Sequence, residues 1–201
     1  MDARELAPGL WRWTAPHPDW EADAEPDSPA DWERDVGCVL YETPAAAVFV
    51  DPLVPEDADA FWSWSDERVA GRPVRVLTTV RWHRRSRAAF VARYGASLSR
   101  ARGGLPEGVE AFALAGADET VFWLPDPRAL VPGDRLLGAR GGGLRVCPDS
   151  WLSYLPNPIG VDGLKAALRP LLDLPIERVL VSHGEPLLAD GHAALARALD
   201  G

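Results

Sequence analysis

The chain has 201 residues, 47% hydrophobic and 25% charged, which suits one sizeable core and excludes a disordered, collagenous or coiled-coil chain. The formal net charge of -9 argues against nucleic acid or an anionic membrane surface as a partner, since both demand a basic field. With no apolar run of the roughly 18 residues that span a bilayer, and no basic start leading into an apolar stretch, a single cytoplasmic α/β domain over residues 1–201 is expected.

Leu10 to Trp13 reads as a short first strand. Gly37 to Glu42 and Ala46 to Val50 are apolar, β-prone runs joined by a Thr43-Pro44 turn and ended by Asp51-Pro52. Glu56 to Val69 reads as a helix whose early acids, Glu56, Asp57 and Asp59, complement its positive end. Val74 to Thr79 is a buried strand, and Arg84 to Tyr94 a helix that Gly95 stops. Leu98, Val109 to Leu114 and Thr120 to Leu124 continue as strands before an Asp126-Pro127 turn. Ala129 to Val131, Arg135 to Leu137 and Leu144 to Cys147 are three more short runs, with Gly141-Gly142-Gly143 as a hairpin turn. Val161, Leu164, Leu168, Leu171 and Leu172 share one helical face. Val179 to Val181 is a final buried strand, and His192 to Leu199 a final helix. This order suits two sheets flanked by helices and not a strictly alternating βαβ sheet.

Charge is unevenly placed. His17 to Asp35 holds eight acids and one base among several prolines, and reads as an extended, mobile surface loop. Arg81 to Arg102 holds seven arginines and no acid. Either both are solvated patches that face each other, or the acidic flap shields a cationic pocket. Cys38 and Cys147 are too few for a disulfide framework or a four-thiolate zinc site, and read as small buried apolar residues.

Two segments are suited to chemistry. In VLTTVRWHRRSR (76–87) a buried strand empties into a polar turn before a helix, and arginines at a helix start are disfavoured unless they point at an anion. In VLVSHGEP (179–186) a strand ends in a tight turn that presents His183, a residue type fit for a metal or for proton transfer. Asp134, in a Pro-Gly-Asp turn, and Asp51, after a buried strand, equally well cap their own turns. His17 sits in a segment with Trp11, Trp13 and Trp20 that could fold over a pocket. A Gly-x-Ser-x-Gly elbow and a P-loop are both absent.

Together FVDPLVP (49–55), VLTTVRWHRRS (76–86), ETVFWLPDPRALVPGDRLLG (119–138) and ERVLVSHGEP (177–186) resemble the metallo-β-lactamase-fold superfamily over nearly the whole chain. The resemblance implies a four-layer αββα sandwich with a dinuclear metal site along one edge. The family's first motif, Thr-His-x-His-x-Asp-His, laid on Thr79 puts Val80, Trp82, Arg84 and Arg85 at ligand positions and His83 on a spacer. Gly116 falls where the family's second motif has its histidine, and only Asp134 and His183 stand at matching ligand positions.

A catalytic zinc takes about three protein ligands. Two fixed cations at about 4 Å would each repel it by several kcal/mol at an effective dielectric near 20. The expectation is therefore a degenerate member without dinuclear hydrolysis and without a bound metal, in which Arg84 or Arg85 pairs with Asp134. Arg81, Trp82, His83, Arg84, Arg85 and Asp134 would hold a small anionic ligand beside a catalytic or vestigial His183. The alternatives are a hydrolase with a remodelled mononuclear site at Asp134, His183 and His83, a metal-free hydrolase with His183 as general base, and an interaction protein that uses the acidic 17–35 segment.

Overall fold

The computed structural model describes residues 2–99, 104–157 and 159–201, so Arg100 and Arg102 of the arginine-rich run lie outside the described residues. Six strands form the first sheet in chain order: β1 (Arg4–Ala7), β2 (Leu10–Pro16), β3 (Asp35–Glu42), β4 (Ala47–Val50), β5 (Val74–Leu77) and β6 (Ser97–Ser99). Pairing is antiparallel from β1 to β4 and parallel from β4 to β6. The two parallel steps need crossovers, which α1 (Ala58–Val69) and α2 (Arg87–Tyr94) supply. The second sheet has the order β12-β9-β8-β7, built from β7 (Glu110–Leu114), β8 (Glu119–Leu124), β9 (Ala129–Val131) and β12 (Arg178–Val179). A hairpin of β10 (Leu136–Gly138) and β11 (Leu144–Val146), then α3 (Gly160–Leu168) and α4 (Gly191–Asp200), complete the chain.

Period-two alternation sends side chains to three separate cores. Val39, Tyr41, Val48, Val50 and Leu77 of the first sheet meet Phe122, Leu124 and Val131 of the second. The intervening residues Cys38, Leu40, Phe49 and Val76 turn the other way, onto Phe61 and Val69 of α1 and Phe90 of α2. Val121, Trp123, Leu130 and Val179 pack against Leu164 and Leu168 of α3 and Leu195 and Leu199 of α4. Helices, sheet, sheet and helices therefore follow one another, as the sequence pattern implies. Each buried Leu, Val or Phe contributes about 1.5–3 kcal/mol.

Local signals end the elements where expected in most places. The Asp57 carboxylate caps α1 by accepting the Ala60 N–H at 3.1 Å, and Gly95 ends α2 in a left-handed conformation. Differences cluster at the site. Strand β5 stops at Leu77 because the Thr79 N–H donates to the Asp51 carboxylate instead of a strand partner. Helix α2 starts at Arg87, not Arg84, because Arg85 has φ +35° and the Ser86 N–H donates to the Pro52 carbonyl. Strand β1, in RELA, is an addition that its mixed polarity hid. Among the described residues no helix is long and apolar enough to cross a membrane.

Candidate metal centre

Four chain segments converge at the ends of β4, β5, β9 and β12. After β4, Asp51 adopts φ +46° and turns its carboxylate back under β5, where it is 2% exposed. Its Oδ1 accepts the Thr79 N–H at 2.9 Å, and its Oδ2 accepts the Thr79 hydroxyl and lies 2.9 Å from Nδ1 of His83. That contact leaves the opposite ring nitrogen, Nε2, on the side of Asp134, 2.9 Å from its Oδ1. Nε2 of His183 lies 3.3 Å from the same oxygen. His83, Asp134 and His183 are all buried, and their donor atoms lie within 4.8 Å of one another.

Glycines allow the close approach. Asp134 follows Gly133, where a Cβ would sit 2.6 Å from the Thr79 hydroxyl and 2.9 Å from a Glu119 oxygen. Glu119 fixes this turn by accepting N–H groups from Gly133, Asp134 and Arg135 at 3.0, 2.7 and 3.0 Å. His183 precedes Gly184 (φ +82°), whose Cβ would meet the Gly138 carbonyl at 2.8 Å. The His183 carbonyl accepts the Gly138 N–H at 2.9 Å.

Electrostatics follow from burial and pairing. Burial lowers the His83 pKa, but Asp134 outweighs it and, with Asp51 and against Arg85, holds the imidazole at about 9. Burial lowers His183 below its ordinary value. Burial alone would raise Asp134, yet the two imidazoles hold it well below the usual carboxylate range. Burial, then repulsion from Asp134, raises Glu119 to about 7.

The cavity above the three donors has a volume of about 300 Å³. Trp82 walls it and donates its Nε1–H to Oδ2 of Asp134 at 2.5 Å. Trp32 and Trp151 meet the His183 ring edge-on, at centroid distances of 5.4 and 5.5 Å. The acidic loop supplies Trp32, His17 and Asp19 to this cavity and is tied down where Trp151 Nε1–H donates to the Ser28 carbonyl at 2.9 Å.

The donor set fits one metal ion. Two imidazoles and a carboxylate match a three-ligand zinc site with an open position, and bonds of about 2.0–2.2 Å at tetrahedral angles separate donors by about 3.3–3.5 Å. The separations of 2.9 and 3.3 Å lie close to that. Oδ1 of Asp134 has no hydrogen bond, so neither imidazole N–H points along the line to it. Among the described residues this is the one group of three or more metal-ligating side chains.

No family model matches the sequence, and no curated protein does. Solved structures do. The metallo-β-lactamase DIM-1 superposes with TM-score 0.67 at 14% identity, over 99% of this chain and 96% of that one. VMB-1 gives 0.69 at 12% identity over 99% and 94%. FIM-1 from Pseudomonas aeruginosa, a metallo-β-lactamase solved in its mono-zinc form, gives 0.62 at 12% over 99% and 94%. The chain has the metallo-β-lactamase fold.

Within that metallo-β-lactamase frame the sequence-predicted residues divide into two groups. His183, Asp134, His83, Trp82 and Arg85 line the cavity. Arg81 and Arg84 do not: they line a separate groove, with Arg81 paired to Asp118 at 3.3 Å and Arg84 exposed. Nor does Arg84 or Arg85 pair with Asp134, as the resemblance to the family's motif implied. Arg85 instead donates from Nη1 to the carbonyls of Gly37 and Asp51 at 2.9 and 2.8 Å, a clamp between β3 and the end of β4. The turn carries His83, a spacer on the family's pattern, into the centre as a third donor, the arrangement of the mononuclear alternative. Gly116 is not in the cavity but in the turn after β7, against Ile159. Among the described residues no loop acid forms an ion pair with the arginine run, although Asp19 and Arg85 line the same cavity, and the loop's own Arg34 pairs with Glu56 at 3.3 Å.

Asp51, Trp32 and Trp151 are site residues that sequence reasoning did not assign. Asp51 carried a signal, an acid directly after the buried run Val48-Phe49-Val50 and before Pro52. Trp32 and Trp151 reach His183 only through tertiary contacts.

Proposed function

We propose that this protein is a hydrolase with a single-metal site, not a dinuclear one, acting on a small anionic substrate. His83 through Nε2, Asp134 through Oδ1 and His183 would hold the ion. The observation that carries the reading is the convergence of three buried donors on a carboxylate oxygen that has no hydrogen bond. That a protein of the same fold, FIM-1, is known in a mono-zinc form supports the stoichiometry. When bound, such an ion supplies Lewis acidity and a water that deprotonates near neutral pH.

The chain's own residues do the rest. Asp51 accepts the Nδ1–H of His83 and so leaves Nε2 free to ligate. Trp82 holds the second oxygen of Asp134 in place, and Trp32 and Trp151 keep bulk water from His183. His17, on the roof, accepts the Asp19 N–H on Nδ1 at 3.2 Å, so its neutral ring carries a proton on Nε2. That proton is available to a leaving group. A cavity of about 300 Å³ lies at the small end of ligand sites, which restricts the substrate to a compact molecule.

Elemental analysis of protein purified without added metal tests the reading. About one equivalent of a transition metal is expected, and it is lost in Asp134→Ala and His183→Ala. Phosphoesters, thioesters and lactones are then screened, and turnover that survives His183→Ala removes the assignment.

One observation favours a second reading, a pseudoenzyme that binds a small anion without metal. His83 already lies between Asp51 and Asp134, 2.9 Å from an oxygen of each, so a protonated ring places a cation between the two carboxylates without a metal. Protein free of metal, and unable to take it up on dialysis against zinc, would establish that reading over the first.

A further inference from the structure

Among the described residues, the groove that contains Arg81 and Arg84 shares no lining residue with the cavity above the metal centre, although Thr79 and Glu119 lie in the wall between them. It has a volume of about 780 Å³, inside the range of small-molecule sites. It lies at the seam of the two sheets, where the Thr120 N–H donates to the Thr79 carbonyl at 2.8 Å and Val80 bridges to Glu119. Among the described residues three guanidinium groups line it: Arg81 and Arg84 from the turn, and Arg87 from the first position of α2.

Acids do not cancel them. Asp118 is committed to Arg81. Glu119 is 4% exposed, and its carboxylate is taken up by three backbone donors of the Gly133–Arg135 turn. Arg84 and Arg87 have no carboxylate within ion-pair distance among the described residues. A positive surplus of this kind on a chain of net charge -9 is a local feature, not a property of the whole surface. Guanidinium forks match planar or tetrahedral oxyanions, and a concave wall focuses their field.

We infer that this groove is a second binding site, independent of the metal centre, for a small, multiply charged oxyanion held by Arg84 and Arg87. Phosphate and carboxylate groups share that chemistry, and separate titrations distinguish them. Pyrophosphate and citrate are each titrated calorimetrically into the wild-type protein, into Arg84→Ala/Arg87→Ala and into His183→Ala. The expected result is saturable binding of one of the two probes, retained in His183→Ala and weakened at least about tenfold in the double arginine variant. Binding should also weaken severalfold between about 50 and 200 mM salt, as exposed charge pairs do.

Three results overturn the inference: no saturable binding of either probe at millimolar concentration, binding that survives loss of both arginines, or binding abolished by His183→Ala. The last would place the anion at the metal centre. Because Arg84 is exposed and Arg87 only half-buried, the double variant keeps the core, which its thermal unfolding checks. Metal content is measured separately, so failure here is distinguishable from failure of the hydrolase reading.

Discussion

Asp51→Asn tests whether the buried carboxylate sets the orientation of His83. The change keeps the side-chain shape, and asparagine tolerates the positive φ of +46° that Asp51 adopts. The amide oxygen can still accept the Thr79 N–H, now made at 2.9 Å. Its NH₂ group then faces the Thr79 hydroxyl and His83 Nδ1. A donor at that place forces Nδ1 to be an acceptor, so the neutral imidazole must carry its proton on Nε2, the nitrogen that faces Asp134. Metal affinity should fall about 10- to 100-fold, as it does when an outer partner of a ligating histidine is lost. The metal-free protein loses a buried hydrogen bond to a charged group, about 1.5–3 kcal/mol. For a chain of this size that lowers Tm by about 3–12 °C. Competition against a chromogenic chelator measures the affinity, and scanning fluorimetry of metal-free protein measures the stability. An unchanged affinity together with an unchanged Tm would refute the role given to Asp51.

Three further outcomes follow from the geometry. The folded-state pKa of His83 is about 9, above its unfolded value, so its contribution to metal-free stability is full below about 6.5 and lost as pH rises through about 9. Denaturant unfolding at both ends of that window should differ by roughly 3 kcal/mol at most, and metal affinity should rise over the same window as the ring gives up its proton. Gly133→Ala drives a methyl to within 2.6 Å of the Thr79 hydroxyl, and should cost about 1–3 kcal/mol by chemical denaturation while moving Asp134 enough to reduce metal content. Trp82→Phe keeps an aromatic wall but removes the Nε1–H donated to Asp134, so the buried oxygen loses its partner at a cost of about 1–3 kcal/mol, read as a lower Tm.

Most of the fold is legible in the sequence because apolar spacing reports burial directly. The run Val48-Phe49-Val50 alternates between two cores, and Gly95 stops α2 for the reason its type suggests. What spacing alone does not reveal is the path of the turn from Val80 to Ser86. Laying the family's motif on Thr79 assumes a turn of fixed shape, and on that resemblance His83 is a spacer and Arg84 a ligand position. In the molecule the His83 N–H donates to the Val80 carbonyl and Arg85 bends into the left-handed region, which turns His83 inward and Arg84 outward. Backbone strain of that kind depends on partners far along the chain, here Gly37 and Asp51. Contacts such as Trp32 on His183, made across 151 positions of sequence, are invisible for the same reason.

Charge around the site separates one ion from two. Without metal, two carboxylates, Asp51 and Asp134, face two cations, protonated His83 and Arg85, while burial keeps His183 neutral. A dication at the three donors must displace the His83 proton, which takes the cluster from neutral to one net positive charge. An anionic substrate or a hydroxide offsets that easily. A second dication about 4 Å away would add repulsion on the order of 15 kcal/mol at an effective dielectric near 20. Dinuclear sites meet that repulsion with further carboxylates or thiolates, but Glu119 is occupied by backbone donors and Asp19 lies exposed at the rim. Fixed Arg85, tied to Gly37 and Asp51, cannot swing aside without breaking the clamp that shapes the turn. Zinc titration of metal-free protein should therefore saturate at one equivalent, and a second tight equivalent that disappears with His183→Ala would overturn this account.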